Sequence, residues 1–115
     1  MTTFADVRRI ALSLPEVEEK VTWESDITFR VRARIFAIGG ESADRVSIKA
    51  DLETQAELLE MDPATFAKSA YVGRFGWVTA DLGRVDPLIL ESLLRDAWRR
   101  TAPKKLAATL DEEPR

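Results

Sequence analysis

The sequence predicts an α+β fold, a two-layer sandwich in which an antiparallel β-sheet carries helices on one face. Three observations lead there. Four strand-like runs lie between residues 18 and 49, joined by gaps too short for a crossover helix, so successive strands run antiparallel. Apolar stripes at helical spacing stand before these runs, directly after them and near the C-terminus. The regular β–α alternation of a doubly wound parallel sheet is missing. The expected order is α-β-β-β-β-α-β-α.

Phe4, Val7, Ile10, Ala11 and Leu14 share one helical face, and Thr3 with Asp6 resembles a shortened capping box. Pro15 pushes the residue before it out of the helical region, so the first helix covers residues 4–14. Residues 18–23 are short and charged, which suits an edge strand. Ile27, Phe29 and Val31 alternate with Thr28, Arg30 and Arg32, the pattern of a strand with one wet face. Residues 34–39 follow as its hairpin partner, residues 39–44 as a loop, and residues 45–49 as the fourth strand. Asp51 caps a second helix that Pro63 ends, with one more turn expected over residues 64–68. Tyr71-Val72 reads as the start of an extended segment, residues 73–76 as a turn and residues 77–82 as a strand. Asp86-Pro87 opens the last helix, whose stripe is Leu90, Leu93, Leu94, Ala97 and Trp98.

A chain of 115 residues fits one domain, placed at residues 1–105, with 106–115 expected to be a frayed tail. There is no cysteine and no histidine. Thiol nucleophiles, imidazole bases and the common zinc sites are therefore absent, and the expectation is a non-enzymatic protein without metal or cofactor. The 17 basic and 20 acidic side chains give a net charge of −3, which argues against a uniformly basic surface but leaves room for a local basic patch. No apolar run is long enough for a membrane, no secretory signal is visible at residues 1–6, and cytoplasmic residence is the economical reading.

Several stretches together resemble the MmcQ/YjbR family. These are Leu12-Ser13-Leu14-Pro15-Glu16-Val17, Trp23, Arg34-Ile35-Phe36-Ala37, Ile48-Lys49-Ala50-Asp51 and residues 71–78 (YVGRFGWV). Residues 93–98 (LLRDAW) and Lys104-Lys105 complete the series, which spans residues 4–105. Arg34 departs from the lysine more usual in the family, as does the acidic net charge. The resemblance implies a two-layer α/β domain with a "double-wing" arrangement of β-hairpins and a DNA-binding role.

The residues themselves leave two readings open. Arg30, Arg32 and Arg34, with Lys49 and Arg45, place guanidinium groups along a β-ribbon, where they fork onto phosphates or base edges. The plainer account is a solvated face whose arginines pair with Glu18, Glu24 or Asp26 on the neighbouring strand. Arg74 forms a second basic wing with Arg84, or simply occupies a hairpin turn. Trp77 beside it either stacks on a base or packs in the core, and Trp23 and Trp98 are weighed the same way. Glu16, Glu18, Glu19, Glu24 and Asp26 form an acidic cluster without calcium-loop spacing, read as a charged edge. The nucleic-acid candidates are thus Arg30, Arg32, Arg34, Lys49, Arg74 and Trp77, with DNA as partner. The alternative is a protein-interaction module that dimerises or receives a partner's segment, as type III secretion chaperones of similar topology do, its acidic edge selecting a basic partner.

Overall fold

The computed structural model describes residues 2–22, 26–41 and 43–111. Helix α1 (Phe4–Ser13) buries Phe4, Val7, Ile10 and Ala11 on one side. At its start the Thr3 backbone N–H donates to the Asp6 carboxylate at 2.9 Å, and that bond holds Asp6 below the usual carboxylate range. Leu14, ahead of Pro15, is already extended.

The chain then runs through β1 (Val17–Thr22), β2 (Asp26–Val31), β3 (Arg34–Gly39) and β4 (Arg45–Ile48). Helix α2 (Leu52–Met61), β5 (Phe66–Lys68), one turn of 3-10 helix (Val72–Phe75) and β6 (Val78–Asp81) follow. Helices α3 (Pro87–Thr101) and α4 (Lys104–Asp111) close the chain. The sheet order is β1-β2-β3-β4-β6-β5, every pair antiparallel. The family-level expectation of an antiparallel α+β domain holds.

One face of the sheet is the core. Ile27, Phe29 and Val31 of β2, Val46 and Ile48 of β4, and Val78 and Ala80 of β6 are buried together with the stripes of α1 and α3. A register shift at Phe29/Arg30 leaves Phe36 as the extra residue of a bulge, and both Phe36 and Ala37 are fully buried. Trp98 is fully buried on α3, and its indole N–H donates to the Pro15 carbonyl at 3.0 Å, joining positions 83 residues apart. It is packing, as its place on the stripe requires.

Three expectations are corrected. Residues 64–68 do not form a helical turn, because Phe66–Lys68 pairs with Val78–Ala80 as an added edge strand. Pro63 and the turn that follows it release the chain from helix, and Phe66 reaches the core. Tyr71-Val72 is not extended but lies in a tight turn leading into the 3-10 helix. The tail is helical through Asp111, since Leu110 is buried against the core; residues 112–115 lie outside the described residues.

Candidate nucleic-acid interface

Antiparallel pairing decides which charged residues meet. The C-terminal end of β2, the N-terminal end of β3, the C-terminal end of β4, the N-terminal end of β6 and the C-terminal end of β5 all lie at one end of the sheet. Arg30 stands opposite Ile35 there, and Arg34 opposite Val31. The Lys49 backbone N–H donates to the Phe36 carbonyl at 3.0 Å, and that of Ser69 to the Trp77 carbonyl at 3.2 Å. Strands β2 to β5 occupy four sheet steps, so this end is about 19 Å wide. Arg30, Arg32, Arg34, Lys49, Arg74 and Trp77 are therefore brought to the same end, with Lys68 among them.

Their roles differ. Arg32 is not on the wet face of β2 but in the two-residue turn Arg32-Ala33, whose φ values of 51° and 68° are those of a type I′ hairpin turn. It grips Glu16 with two hydrogen bonds, 2.6 and 3.0 Å, and the contact keeps the Glu16 carboxyl below its usual range. Arg30 is half-buried and donates to the hydroxyls of Thr28 (3.1 Å) and Thr22 (3.2 Å), not to the Glu18 opposite it. Thr28, expected on a wet face, is thereby fully covered. Arg34, Lys49, Lys68 and Arg74 have no carboxylate partner among the described residues, and neither does Arg30.

The acidic cluster disperses into separate contacts. Glu16 takes Arg32, Glu18 takes Lys20 at 3.8 Å, and Glu19 takes Arg8 at 2.8 Å. Glu24 and Trp23 lie outside the described residues. At the basic end Asp51 is also matched, accepting from the Thr54 backbone at 2.7 Å and pairing with Arg100 at 3.1 Å. The backbone bond is the main reason its carboxyl is held low. Glu53, exposed in the first turn of α2, is the nearby carboxylate without an ion pair among the described residues.

The loop between β5 and β6 gives this end its shape. Tyr71 has φ 63° and ψ −53°, and the Val72 N–H closes on the Ala70 carbonyl, which is the rare positive-φ form of the γ-turn. Such a conformation costs on the order of 1–3 kcal/mol and persists only where its surroundings enforce it. Here the buried Gln55 amide donates to the carbonyls of Gly73 (2.7 Å) and Trp77 (2.8 Å), spanning the loop from α2. Gly76, at φ 104°, packs so closely that an added Cβ would lie 2.6 Å from the Asp51 carbonyl carbon. Held this way, the loop leaves Tyr71 95% and Phe75 61% exposed, with the Arg74 guanidinium 4.8 Å from the Phe75 ring centre.

Two assignments change as a result. Trp77 is only 9% exposed, so its ring is not free to stack, and the accessible aromatics are Tyr71 and Phe75. Arg84 does not join Arg74, because β6 separates them; Arg84 follows Asp81 at the opposite end, where Arg45 also lies. Reasoning from sequence missed Tyr71, Phe75 and Lys68. The available signal was Gly73 and Gly76 three apart, which marks a loop and leaves flanking aromatics without a strand to pack into.

The opposite end is acidic. Asp26, Glu41, Asp44 and Asp81 gather there with Arg45 and Arg84, around a depression of about 640 Å³ lined in part by Glu19, Asp26, Glu41 and Arg45.

The YjbR family model matches residues 12–100, more than half of the chain. The chain belongs to the YjbR family. The matched region runs from within α1 to within α3 and contains every residue of the basic end. This YjbR domain is also similar in structure to a Deinococcus radiodurans protein, DR2400, that carries a DUF419 domain. The two are 29% identical, with a TM-score of 0.79, over 87% of this chain and 78% of that one. No curated protein matches the chain. Among the described residues, no helix of the YjbR domain is long and apolar enough to cross a membrane.

Proposed function

We propose that this YjbR domain is a cytoplasmic binding module, not an enzyme, and that it holds DNA by its phosphate backbone at the basic end of the sheet. The observation behind this reading is the convergence of Arg34, Lys49, Lys68 and Arg74, four cations without carboxylate partners among the described residues, in a protein of net charge −3. Arg30 starts near this end, but its guanidinium turns back to Thr28 and Thr22. A carboxylate-rich chain that gathers unmatched cations at one end builds a local field for a polyanion while the remainder repels it. The width of about 19 Å matches a duplex laid across the sheet end or a single strand tracking along it.

Fluorescence anisotropy of labelled DNA at low and physiological salt tests the proposal. With about four phosphates engaged, a fourfold rise in salt weakens binding by roughly 10²-fold. The variant Arg34→Glu/Lys49→Glu/Arg74→Glu loses binding. No binding by the wild type at low salt would overturn the proposal.

A protein partner is a second reading, supported by the unpaired edge of β1 with Val21 69% exposed. The acidic edge once expected to choose that partner is already matched internally at Glu16, Glu18 and Glu19. Light scattering that gives a dimer mass, lost in Val21→Lys, would favour this reading.

A further inference from the structure

We infer that Tyr71 and Phe75 form a stacking platform for unpaired bases, so that the strand this domain holds is single-stranded. The inference rests on the nucleic-acid reading above and specifies the ligand within it.

Phosphate contacts alone do not distinguish a duplex from a single strand; aromatic faces open to solvent do, because only unpaired bases can lie against them. Tyr71 is 95% exposed and Phe75 61%, on the loop of residues 69–77 that follows Lys68, at the sheet end where Lys49 also lies. An aromatic ring left in water forgoes its burial, and here nothing local makes it necessary, since the turn is fixed by main-chain contacts and not by the rings. Those contacts are the Val72–Ala70 and Gly73–Ser69 backbone bonds, the two bonds from Gln55, and Gly76 seated against Asp51. A strained turn held from behind presents its side chains in a fixed position, so less ordering remains to be done when a ligand arrives. Arg74 lies over one face of the Phe75 ring, 4.8 Å from its centre, which leaves the other face for a base and sets a cation next to the platform.

The same arrangement argues against a duplex docking side-on at this loop, because along its length the base faces are stacked on one another and closed to Tyr71.

The test is anisotropy with four labelled probes of equal length: oligo-dT, oligo-U, and mixed-sequence DNA in single-stranded and duplex form. Each is titrated at low and physiological salt with wild type, Tyr71→Ala/Phe75→Ala and Arg34→Glu/Lys49→Glu. The expected result is tighter binding of single strands than of the duplex. Removing the two rings should weaken single-strand binding by ~10-fold or more and leave the slope against salt unchanged. The charge reversals should instead flatten that slope. The two oligomers of one base separate DNA from RNA as the source of the strand. Equal or tighter binding of duplex would overturn the inference and leave the nucleic-acid reading standing, as would ring removal without effect. No binding to any probe would overturn both. A circular-dichroism melt of each variant confirms that the fold is retained, as expected for substitutions at exposed positions.

Discussion

The two ends of the sheet are built from the same strands and differ in what the turns deliver to them. At the acidic end, carboxylates and cations alternate across neighbouring strands, with Arg45 opposite Asp81 and Arg8 reaching both Glu19 and Glu41. At the basic end, Glu16, Glu18 and Asp51 are each taken by one cation, Glu53 is without an ion pair among the described residues, and four more cations, Arg34, Lys49, Lys68 and Arg74, remain. One end therefore keeps an excess of carboxylates and the other an excess of cations. The net charge of −3 for the whole chain hides the difference, which depends on pairing register.

The largest expected effect comes from exchanging the ends. Arg34→Glu/Lys49→Glu/Arg74→Glu should reduce DNA affinity by more than ~10²-fold at low salt, whereas Arg45→Glu/Arg84→Glu should change it by less than about threefold, both read by anisotropy. Equal losses from the two variants would mean that overall charge, not the basic end, drives binding.

A contrast between glycines comes next. Gly76→Ala forces a Cβ into the Asp51 backbone and a residue into φ 104°, so it should cost about 2–4 kcal/mol in chemical denaturation. Gly39→Ala, toward the other end, meets only the Phe4 ring at 2.5 Å and should cost about 1–3 kcal/mol. The first variant should also impair nucleic-acid binding; the second should not.

Gln55→Leu tests the clamp. It removes two buried hydrogen bonds, although the Gly73 and Trp77 carbonyls each keep a backbone donor (Gly76 and Ser69), so the expected loss is about 1–2 kcal/mol. It also loosens the Tyr71 turn, visible as faster amide exchange at Val72 and Gly73.

The smallest effect concerns pH. Asp6, Glu16 and Asp51 all have carboxyls held below their ordinary values, 3.8 for aspartate and 4.5 for glutamate. A depressed folded value means their contribution is complete above the unfolded value and is lost as pH falls through the folded one. Stability should thus be flat above about pH 5 and decline below about pH 4. Glu16→Gln/Asp51→Asn should show a shallower decline, and at pH 7 Arg32→Ala should leave the melting temperature nearly unchanged, because that ion pair is exposed.

Much of this was legible in the sequence because periodicity reports burial. The strict alternation Ile27-Phe29-Val31 and the stripe Leu90-Leu93-Leu94-Ala97-Trp98 each have one physical explanation, and both lie in the core. What was not legible depends on partners far away in sequence. Three residues, Phe66–Lys68, are too short to carry a period, and they are a strand only because β6 offers an edge. Arg32 falls on the alternating pattern and leaves it because a two-residue turn claims it. Trp77 and Tyr71 stand six apart in sequence, yet Gln55 and Gly76 decide which is buried, and neither is visible from the aromatic residues themselves.

The placement of β6 also sets an order of assembly. Strands β1 to β4 form a local meander, but β4 pairs with β6 across an insertion of residues 49–77, and Trp98 reaches Pro15 over 83 positions. As the chain leaves the ribosome, the meander emerges with only α1 available to its core face, Phe4 meeting Phe29, and it waits for about fifty more residues before α3 can complete the cover. Closing that distance is a slow, entropically costly step compared with forming the hairpins. The nascent protein is consequently most prone to aggregate in the interval before Trp98 arrives, and a stop codon just upstream of α3 should yield an insoluble product and not a smaller folded one.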